Sequence, residues 1–547
     1  MNRTSAPSSD TQHYDYVIVG SGAAGAIIAN RLTQSGATVC VLEAGPPDNM
    51  LYLHIPAGFI KAVFNPKYAW QFSSEPTENT HGRRIPIPQG RTLGGSTSIN
   101  GLIYNRGQST DYDAWAALGN PGWGFNDVLP YFKSMEARTG GDDHYRGRSG
   151  ELPISDIDWI HPLCSAFIDG AVETGIPRNE DYNGMYQAGV GYFQRTIDKG
   201  WRMSTARRFL KPIKSRSNLD IKTYAQASRI LLEGKKAVGV AYCHPKQPNT
   251  TRTVMARKEI IIACGAINTP KLLQLSGIGP AGLLQEKNIS VVHDLPGVGE
   301  NLSDHYSVRV VAKVKNSDTI NELVKGPRLA GQIFKWLTKK PSVMALSPSL
   351  VHYFWKSLPE LDAPDLQGVF TPASYKEGYV GMLDDFPGMT AGIWQHRPQS
   401  RGHVRIKSAD PFEDPIVQPN YLEHPQDQLT LIRGIRLARK LLQSKALERY
   451  FDEETLPGKL CESDNELLDF ARQYGVSSYH VNGTAHMGPK SDRFAVVDNQ
   501  LRVHGIENLR IADSSIMPSI PSANTCAATM MIGNKAGDLI RGRSTLR

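Results

Sequence analysis

The chain has 547 residues, a mass of 60.3 kDa and a formal net charge of +8. Its 40% hydrophobic and 21% charged residues are ordinary for a globular protein, which excludes collagen, coiled coil and extensive disorder. The positive charge is too dilute to predict nucleic-acid binding, and the length suits two large domains or about three or four of roughly 150 residues.

The N-terminus and the cysteines bear on where the protein works. Residues 1–12 predict a flexible polar tail, and no apolar segment typical of a secretory signal occurs there. The six cysteines form no C-x-x-C pair and match neither a zinc site nor a disulfide framework, which suits a reducing compartment. No apolar run reaches about 18 residues. We therefore expect a cytoplasmic protein without a spanning helix or a metal site.

The first elements along the chain predict a β–α–β unit. Residues 14–19 form a short apolar run typical of a buried strand. Residues 26–35 predict a helix that ends at Gly36, and residues 38–42 predict a second buried strand. This order is typical of α/β proteins with a parallel sheet.

A glycine pattern joins the first strand to the helix. Gly20 allows a tight turn, Gly22 lets a pyrophosphate approach the backbone, and Gly25 lets the helix pack close to the strand. Glu43 lies 18 residues after Gly25, where a carboxylate can accept hydrogen bonds from ribose hydroxyls. A turn without a ligand is the alternative, but strand, helix and acid together favour dinucleotide binding.

Further predicted strands and helices alternate in the same way. Residues 306–471 have longer polar and aromatic stretches and few glycine-rich junctions after strands, and this change predicts a second domain. A second glycine pattern over 277–282 follows a predicted helix and contains Pro280, so we predict no second nucleotide site there. The later elements are predicted as a strand at 259–264, a helix at 270–276, a strand at 508–512 and a helix at 525–539.

Several segments together resemble the glucose–methanol–choline (GMC) oxidoreductases, which are FAD-dependent enzymes that oxidise alcohols. Besides the first glycine pattern they are residues 90–101 (GRTLGGSTSING), 265–279 (GAINTPKLLQLSGIG), 479–488 (YHVNGTAHMG) and 513–525 (DSSIMPSIPSANT), with a weaker likeness over 397–421. The resemblance implies an α/β protein with two interleaved domains. These are a Rossmann-like FAD-binding domain from 13–155, 200–305 and 472–547, and an α+β substrate-binding domain from 156–199 and 306–471 whose sheet covers the flavin ring.

The resemblance also implies a catalytic pair. His480 matches the family's base, and histidine titrates near neutrality. Asn524 matches the position where the family has His or Asn, and it would donate to the alcohol oxygen. The alternatives are that His480 is an ordinary surface or core histidine, one of 15, and that Asn524 caps a helix. His486 is interpreted as structural and Cys526 as a small buried filler.

The same segments imply the FAD site. Some relatives attach FAD covalently through a histidine that corresponds to Ile99, so we predict non-covalent FAD. The helix that starts near Thr525 would direct its positive end toward the flavin. The alternatives are that the loop with Gly95 and Asn100 is a tight turn without a ligand and that Asp513 is an ordinary acid at the end of a strand. The predicted cofactor-binding residues are Gly20, Gly22, Ala23, Ala24, Gly25, Glu43, Ala44, Arg91, Gly94, Gly95, Ser96, Asn100, Gly101, Ala227, Asp513, Ser514 and Thr525.

Two segments predict amphipathic helices with basic faces, residues 431–442 and 329–340. The simpler interpretation of both is a helix that packs on the core and leaves its charges solvated. The alternative is peripheral association with the inner membrane, which would suit electron delivery to a quinone. The second segment carries Ile333, Phe334, Trp336 and Leu337 among Lys335, Lys339 and Lys340.

The sequence therefore favours an FAD-dependent alcohol dehydrogenase that converts a primary alcohol to an aldehyde, with proton abstraction by His480 and hydride transfer to flavin N5, and passes electrons to a quinone or another carrier. Asn524 favours choline-dehydrogenase-like relatives. The alternatives are an oxidase that uses O₂ and makes H₂O₂, a non-redox lyase of the hydroxynitrile type, and a non-enzymatic flavin-binding module. Long-chain, aromatic and amino alcohols all stay open, because the resemblance is thinnest in the middle domain, and so does the oligomeric state.

Overall fold

The computed structural model of the chain describes residues 12–376 and 382–543. The predicted tail lies outside this range except for Gln12, which is not tail but the first residue of a strand. Within the two described stretches no helix combines the length and apolar character needed to cross a membrane. In the same stretches no three His, Cys, Asp or Glu side chains are grouped to hold a metal ion.

Strands and helices alternate along the chain in the following order. The strands are β1 (Gln12–Val19), β2 (Val39–Leu42), β3 (Ala69–Trp70), β4 (Gln89–Gly90), β5 (Glu136–Ala137), β6 (Leu152–Pro153), β7 (Gly189–Tyr192), β8 (Ile197–Asp198), β9 (Trp201–Arg202), β10 (Leu219–Lys222), β11 (Gln226–Glu233), β12 (Lys236–His244), β13 (Gln247–Ile262), β14 (Ile278–Gly279), β15 (His293–Asp294), β16 (Tyr306–Val314), β17 (Val351–Trp355), β18 (Leu366–Thr371), β19 (Gly388–Gln395), β20 (His403–Arg405), β21 (Ile416–Gln418), β22 (Phe451–Leu456), β23 (Val476–Ser477) and β24 (Leu509–Ile511). The helices are α1 (Gly25–Thr33), α2 (Phe59–Ala62), α3 (Ser109–Ala117), α4 (Phe125–Met135), α5 (Pro162–Glu173), α6 (Gly265–Leu275), α7 (Ala281–Glu286), α8 (Ile320–Leu323), α9 (Gly326–Leu337), α10 (Pro425–Leu442), α11 (Asp464–Tyr474) and α12 (Cys526–Ile540).

The first sheet has the strand order β10-β2-β1-β13-β12-β11, with β24 beside β13. Strands β10, β2, β1, β13 and β24 pair in parallel, while β11, β12 and β13 form an antiparallel meander. Parallel strands buried on both faces need continuous apolar runs, which the β1 and β2 sequences provide. The predicted β–α–β unit is therefore confirmed, and the α/β fold class with it.

Helix α6 begins earlier than predicted, at Gly265 rather than at residue 270. The prediction started the helix at Pro270 because proline lacks an N–H and leaves the carbonyl four residues earlier without its helical partner. Here that carbonyl belongs to Ala266, and it accepts a hydrogen bond of 2.6 Å from the Thr484 hydroxyl. A side chain more than 200 residues away in sequence thus allows proline inside the helix. The glycine pattern over 277–282 follows helix α6 and lies outside the first sheet.

The second sheet is antiparallel, in the order β22-β16-β19-β18-β17-β7, with β23 beside β16. Successive side chains of a strand point to opposite faces. Val308 and Val310 of β16 and Ala391 and Ile393 of β19 are fully buried in a hydrophobic cluster with α5 and α10. Their neighbours on the same strands point the other way, toward the first sheet.

Each sheet carries its own hydrophobic core. The first core is formed mainly by residues within 16–154, 203–298 and 485–540, and the second mainly within 157–193 and 306–471. One strand departs from the predicted ranges, because β23 lies within 472–547 but pairs with the second sheet. The chain therefore crosses between the two cores several times.

The two predicted amphipathic helices differ in their environment. Helix α10 buries Leu431, Ile435 and Leu442 among others, so its packing on the core is confirmed. Helix α9 buries only Gln332, while Phe334 and Leu337 are each 65% exposed. Trp336 packs on Trp201 and donates to the Gly200 carbonyl oxygen at 2.8 Å. The core-packing interpretation is therefore wrong for Phe334 and Leu337 but not for the whole apolar face of α9.

Candidate active site

A cavity of about 390 Å³ lies between the two sheets. Its floor is lined by Val19, Leu42, Ala263 and Asp513, which lie at or just after the carboxyl ends of four parallel strands. This edge of an open α/β sheet is where such folds bind ligands. Its roof is the inward face of the second sheet, with Ser307, Arg309, Val369, Thr371, Thr390, Gly392 and Trp394.

Two glycine loops meet at the floor of the cavity. Gly20 has a φ of 97°, and a Cβ there would lie 2.3 Å from the Ala263 carbonyl oxygen. A Cβ on Gly95 would lie 2.8 Å from Gly22 Cα, so the predicted second motif packs directly on the first. A Cβ on Gly22 would meet only Gly95 Cα, at 3.9 Å. The backbone at Gly22 is therefore open toward the cavity, as an approaching pyrophosphate requires.

Two buried carboxylates fix the loops around this floor. Glu43 accepts hydrogen bonds from Ser21 N (3.1 Å) and Oγ (2.6 Å) and from Gly45 N (2.9 Å). Asp513 accepts from Gly265 N (2.9 Å) and Thr269 Oγ1 (2.7 Å). Burial raises the pKa of both carboxyl groups, and the hydrogen bonds oppose that rise. Both residues also line the cavity.

The structure brings most of the predicted cofactor-binding residues to the cavity wall. Three do not line it: Gly25, which packs α1 against Gly20, and Arg91 and Gly94. The Arg91 guanidinium instead lies over the ring of Trp70, 4.3 Å from its centroid, and Trp70 lines the cavity. The residues that line it are Gly20, Gly22, Ala23, Ala24, Glu43, Ala44, Gly95, Ser96, Asn100, Gly101, Ala227, Asp513, Ser514 and Thr525.

His480 and Asn524 meet at the cavity, although 44 residues separate them in sequence. Asn524 Nδ2 lies 3.1 Å from His480 Nε2, and both residues line the wall. Asn524 Oδ1 accepts a hydrogen bond of 3.1 Å from Gln367 Nε2, which fixes the orientation of the amide. The cap of α12 is Thr525, without a side-chain hydrogen bond, so the capping alternative for Asn524 is wrong.

A second histidine supports His480 from behind. His305 Nδ1 lies 2.9 Å from His480 Nδ1, and His305 Nε2 lies 2.8 Å from the His396 carbonyl oxygen. The backbone N–H groups of His480 and His305 both donate to Asp304 Oδ1, at 2.7 and 2.9 Å. Burial raises the pKa of Asp304 to about 6. Backbone and ring of His480 are therefore both held in place.

The histidines at this site are neutral around pH 7. Burial lowers the pKa of His305 to about 4. Burial, and secondarily the neighbouring His305, lower the pKa of His480 well below its ordinary value. A neutral imidazole has one nitrogen with a free lone pair, so His480 can accept a proton.

A buried cation lies beside this wall. Arg202 is 1% exposed and donates to Asn100 Oδ1 (2.9 Å) and Thr97 O (3.2 Å). Asn100 Nδ2 in turn contacts Cys526 Sγ at 3.4 Å. Burial raises the pKa of the Cys526 thiol to about 11, so this cysteine is no nucleophile at neutral pH. His486 pairs with Asp492 at 2.9 Å and does not line the cavity.

Sequence reasoning missed the roof and the support of the site. Trp394 and Tyr375 line the cavity and belong to no segment singled out in the sequence, while Tyr479 also lines it and lies in the 479–488 segment, but no role was predicted for it. Lys271, which also lines it, is 5% exposed, and burial lowers its pKa to about 8. The strand period of two in 306–314 and 388–395 is a signal that could have assigned Trp394 and its neighbours on the roof to one face, whereas it says nothing about Tyr375, Tyr479 or Lys271.

Comparison with known proteins shows what the chain is similar to along nearly its whole length. The sequence profiles of GMC oxidoreductases match residues 14–307 and 398–533. The chain is 38% identical over 530 residues to an alcohol dehydrogenase [acceptor] of Pseudomonas putida, covering 96% of this chain and 95% of that protein. It is 40% identical over 542 residues to an oxygen-dependent choline dehydrogenase of Cronobacter sakazakii, covering 97% and 96%. A solved FAD-dependent oxidoreductase from Chaetomium thermophilum superposes with a TM-score of 0.87 at 27% identity, over 97% of this chain and 99% of the other.

Proposed function

The chain belongs to the GMC oxidoreductase family, and on that premise we propose that it is an FAD-dependent dehydrogenase that converts a primary alcohol to an aldehyde. As a member it is an oxidoreductase that acts on alcohols. The observation that carries the finer proposal is the pair of His480 Nε2 and Asn524 Nδ2, 3.1 Å apart in the wall of a cavity whose floor is a dinucleotide fingerprint.

The residues at the floor fit FAD. The open backbone at Gly22, the N-terminus of α1 and the carboxylate of Glu43 match the pyrophosphate and ribose of a dinucleotide. FAD would supply the redox chemistry of the reaction by taking up a hydride, that is, two electrons together with a hydrogen nucleus from the carbinol carbon. We propose non-covalent binding, because Ile99 lies in the wall where some relatives carry a histidine. On this basis 13–155, 200–305 and 472–547 form the FAD-binding domain, without β23.

The chain's own residues handle the proton. A bound substrate hydroxyl would take the place of the Asn524 N–H at His480 Nε2, donating to Nε2 and accepting from Asn524 Nδ2. As the alcohol is oxidised, the hydroxyl proton passes to Nε2, the O–H bond breaks and an N–H bond forms. Asn524 stabilises negative charge on the oxygen without competing for its proton. The second sheet, in the substrate-binding domain over 156–199 and 306–471, covers the site and excludes water.

The electron acceptor is proposed to be a quinone or another carrier rather than O₂. Helix α9 supports this proposal, because it exposes Phe334 and Leu337 beside Lys335, Lys339 and Lys340. Apolar side chains flanked by lysines suit the surface of an anionic membrane, where quinones reside. An oxidase that makes H₂O₂ is the second candidate, favoured by the likeness to an oxygen-dependent relative. Peroxide formation in air separates the two.

The test is anaerobic mixing of the holoenzyme with a panel of alcohols while the flavin absorbance is followed. We expect a primary alcohol to bleach the flavin, and His480→Gln to slow bleaching by about 10²–10⁴-fold. The matched control is His486→Gln, which changes a histidine six residues away that does not line the cavity. It should react like the wild type.

Two outcomes would contradict the proposal. Bleaching of His480→Gln at the wild-type rate would remove the assigned base. A flavin that no alcohol reduces, in a protein that cleaves cyanohydrins, would instead support the lyase alternative.

A further inference from the structure

A chain of directed hydrogen bonds ends at the nitrogen that faces the cavity. It runs from the His396 carbonyl oxygen to His305 Nε2 (2.8 Å), from His305 Nδ1 to His480 Nδ1 (2.9 Å), and from His480 Nε2 to Asn524 Nδ2 (3.1 Å). His305 and His396 are fully buried and His480 is 9% exposed. Each contact needs one donor and one acceptor, so the positions of the hydrogens can be deduced.

The first contact decides the tautomer of His305. A carbonyl oxygen only accepts, so His305 Nε2 must carry the hydrogen. A neutral imidazole carries only one hydrogen, and burial without a carboxylate partner keeps His305 neutral. His305 Nδ1 therefore has a lone pair and accepts.

The second contact then decides the tautomer of His480. Its Nδ1 faces an acceptor at 2.9 Å and must donate. The single hydrogen of neutral His480 is thus on Nδ1, and the lone pair is on Nε2. The third contact agrees, because Gln367 holds Asn524 Oδ1 and leaves the Asn524 N–H group to face Nε2.

We propose that His305 is a positioning residue that holds neutral His480 in the Nδ1–H tautomer, so that Nε2 keeps a lone pair, which accepts from the Asn524 N–H in this structure and takes the hydroxyl proton of a bound alcohol. The catalytic role of His305 rests on the proposed function, whereas the assignment of the tautomer rests on the hydrogen bonds alone. With the opposite tautomer, Nε2 would present a hydrogen to the hydroxyl and could not accept its proton. A substitution that leaves the base with the wrong tautomer can cost about 10⁴-fold in kcat, as in the serine proteases.

The first experiment needs no variant. Nitrogen NMR of the holoenzyme with ¹⁵N-labelled histidine reports which ring nitrogen of His480 carries the hydrogen, and the His480→Gln spectrum assigns its signals. We expect the hydrogen on Nδ1. A hydrogen on Nε2 in the wild type would overturn the proposal whatever the variants do.

The second experiment removes the acceptor. His305→Phe keeps a planar ring but has no lone pair, so we expect His480 to shift toward the Nε2–H form and kcat to fall by about 10- to 10⁴-fold with little change in KM. His305→Asn restores a carbonyl oxygen near the position of Nδ1 and should recover most of the lost kcat. A purely structural role would not produce this tautomer shift and rescue.

The two proposals fail in distinguishable ways. If His305→Phe keeps the Nδ1–H form and a wild-type kcat, the positioning role is wrong while alcohol oxidation stands. If wild-type protein shows the predicted tautomer but no alcohol reduces its flavin, the proposed function is wrong while the hydrogen-bond assignment stands.

Discussion

His352 shows how burial of a single side chain becomes a pH dependence of stability. It is fully buried, with its ring 4.4 Å from Tyr182, 5.4 Å from Phe193 and 4.9 Å from Phe354 between centroids. Burial lowers its pKa to about 3. The unfolded chain therefore takes up a proton on this histidine below about pH 6.5 that the folded protein does not bind. Stability should fall as the pH drops below that value.

Between pH 7 and pH 5.5, proton uptake by His352 in the unfolded chain should lower the free energy of unfolding by about 1.3 kcal/mol. We expect wild type to lose that much more stability than His352→Phe over this interval, measured from urea unfolding at both pH values. Any packing effect of phenylalanine cancels, because only the change with pH is compared. An equal loss in both proteins would show that His352 is charged, or accessible to protons, in the folded state.

At the residue scale, the sequence predicted the residues that belong to motifs but not the residues that hold them in place. His480 and Asn524 lie in recognisable segments, so both could be named in advance. His305 lies 175 residues before His480, and Gln367 lies 157 residues before Asn524. No periodicity or spacing links such pairs, because only the packing of the two sheets brings them together.

Helix α1 depends on one glycine for its distance from β1. A Cβ at Gly25 would lie 2.0 Å from the Gly20 carbonyl oxygen, so Gly25→Ala must push the helix away. We expect a loss of about 1–3 kcal/mol of stability from this overpacking, together with weaker FAD binding. Unfolding by urea and titration of the apoprotein with FAD measure the two effects.

The matched control is Gly331→Ala in helix α9. Nothing lies within 4 Å of the added Cβ there, so the helix should gain about 0.5–1 kcal/mol and FAD affinity should not change. Wild-type FAD affinity in Gly25→Ala would contradict the assigned packing role.

At the element scale, prediction succeeded where local pattern decides structure. Strands β1, β2 and β24 and helices α1 and α12 begin and end within a few residues of their predicted limits. Helix α6 was predicted too short because the partner of the Ala266 carbonyl comes from Thr484, far along the chain. Helix α9 was expected to pack on the core because amphipathicity shows that a helix has an apolar face, not what covers it.

At the scale of the whole molecule, the exposed apolar side chains of helix α9 are expected to bind an anionic membrane. We expect the wild type to float with anionic phospholipid vesicles, and F334S/L337S to lose at least tenfold in binding, since each buried apolar side chain contributes about 1.5–3 kcal/mol. Leu429→Ser is the matched control, because Leu429 is 43% exposed on the separate helix α10. Added salt should weaken binding through the lysines. Wild-type protein that stays unbound, or that dimerises through α9 instead, would contradict the membrane proposal.

The position of β24 has a consequence for how the molecule is made. This strand completes the first sheet beside β13, yet about 490 residues separate it from β1. About 250 residues lie between the end of β13 and the start of β24, so at roughly 5–20 residues per second translation leaves the nascent β13 edge uncovered for about 12–50 s. An unpaired strand edge is a template for aggregation. Chaperone protection of this edge during synthesis should therefore raise the yield of the folded enzyme.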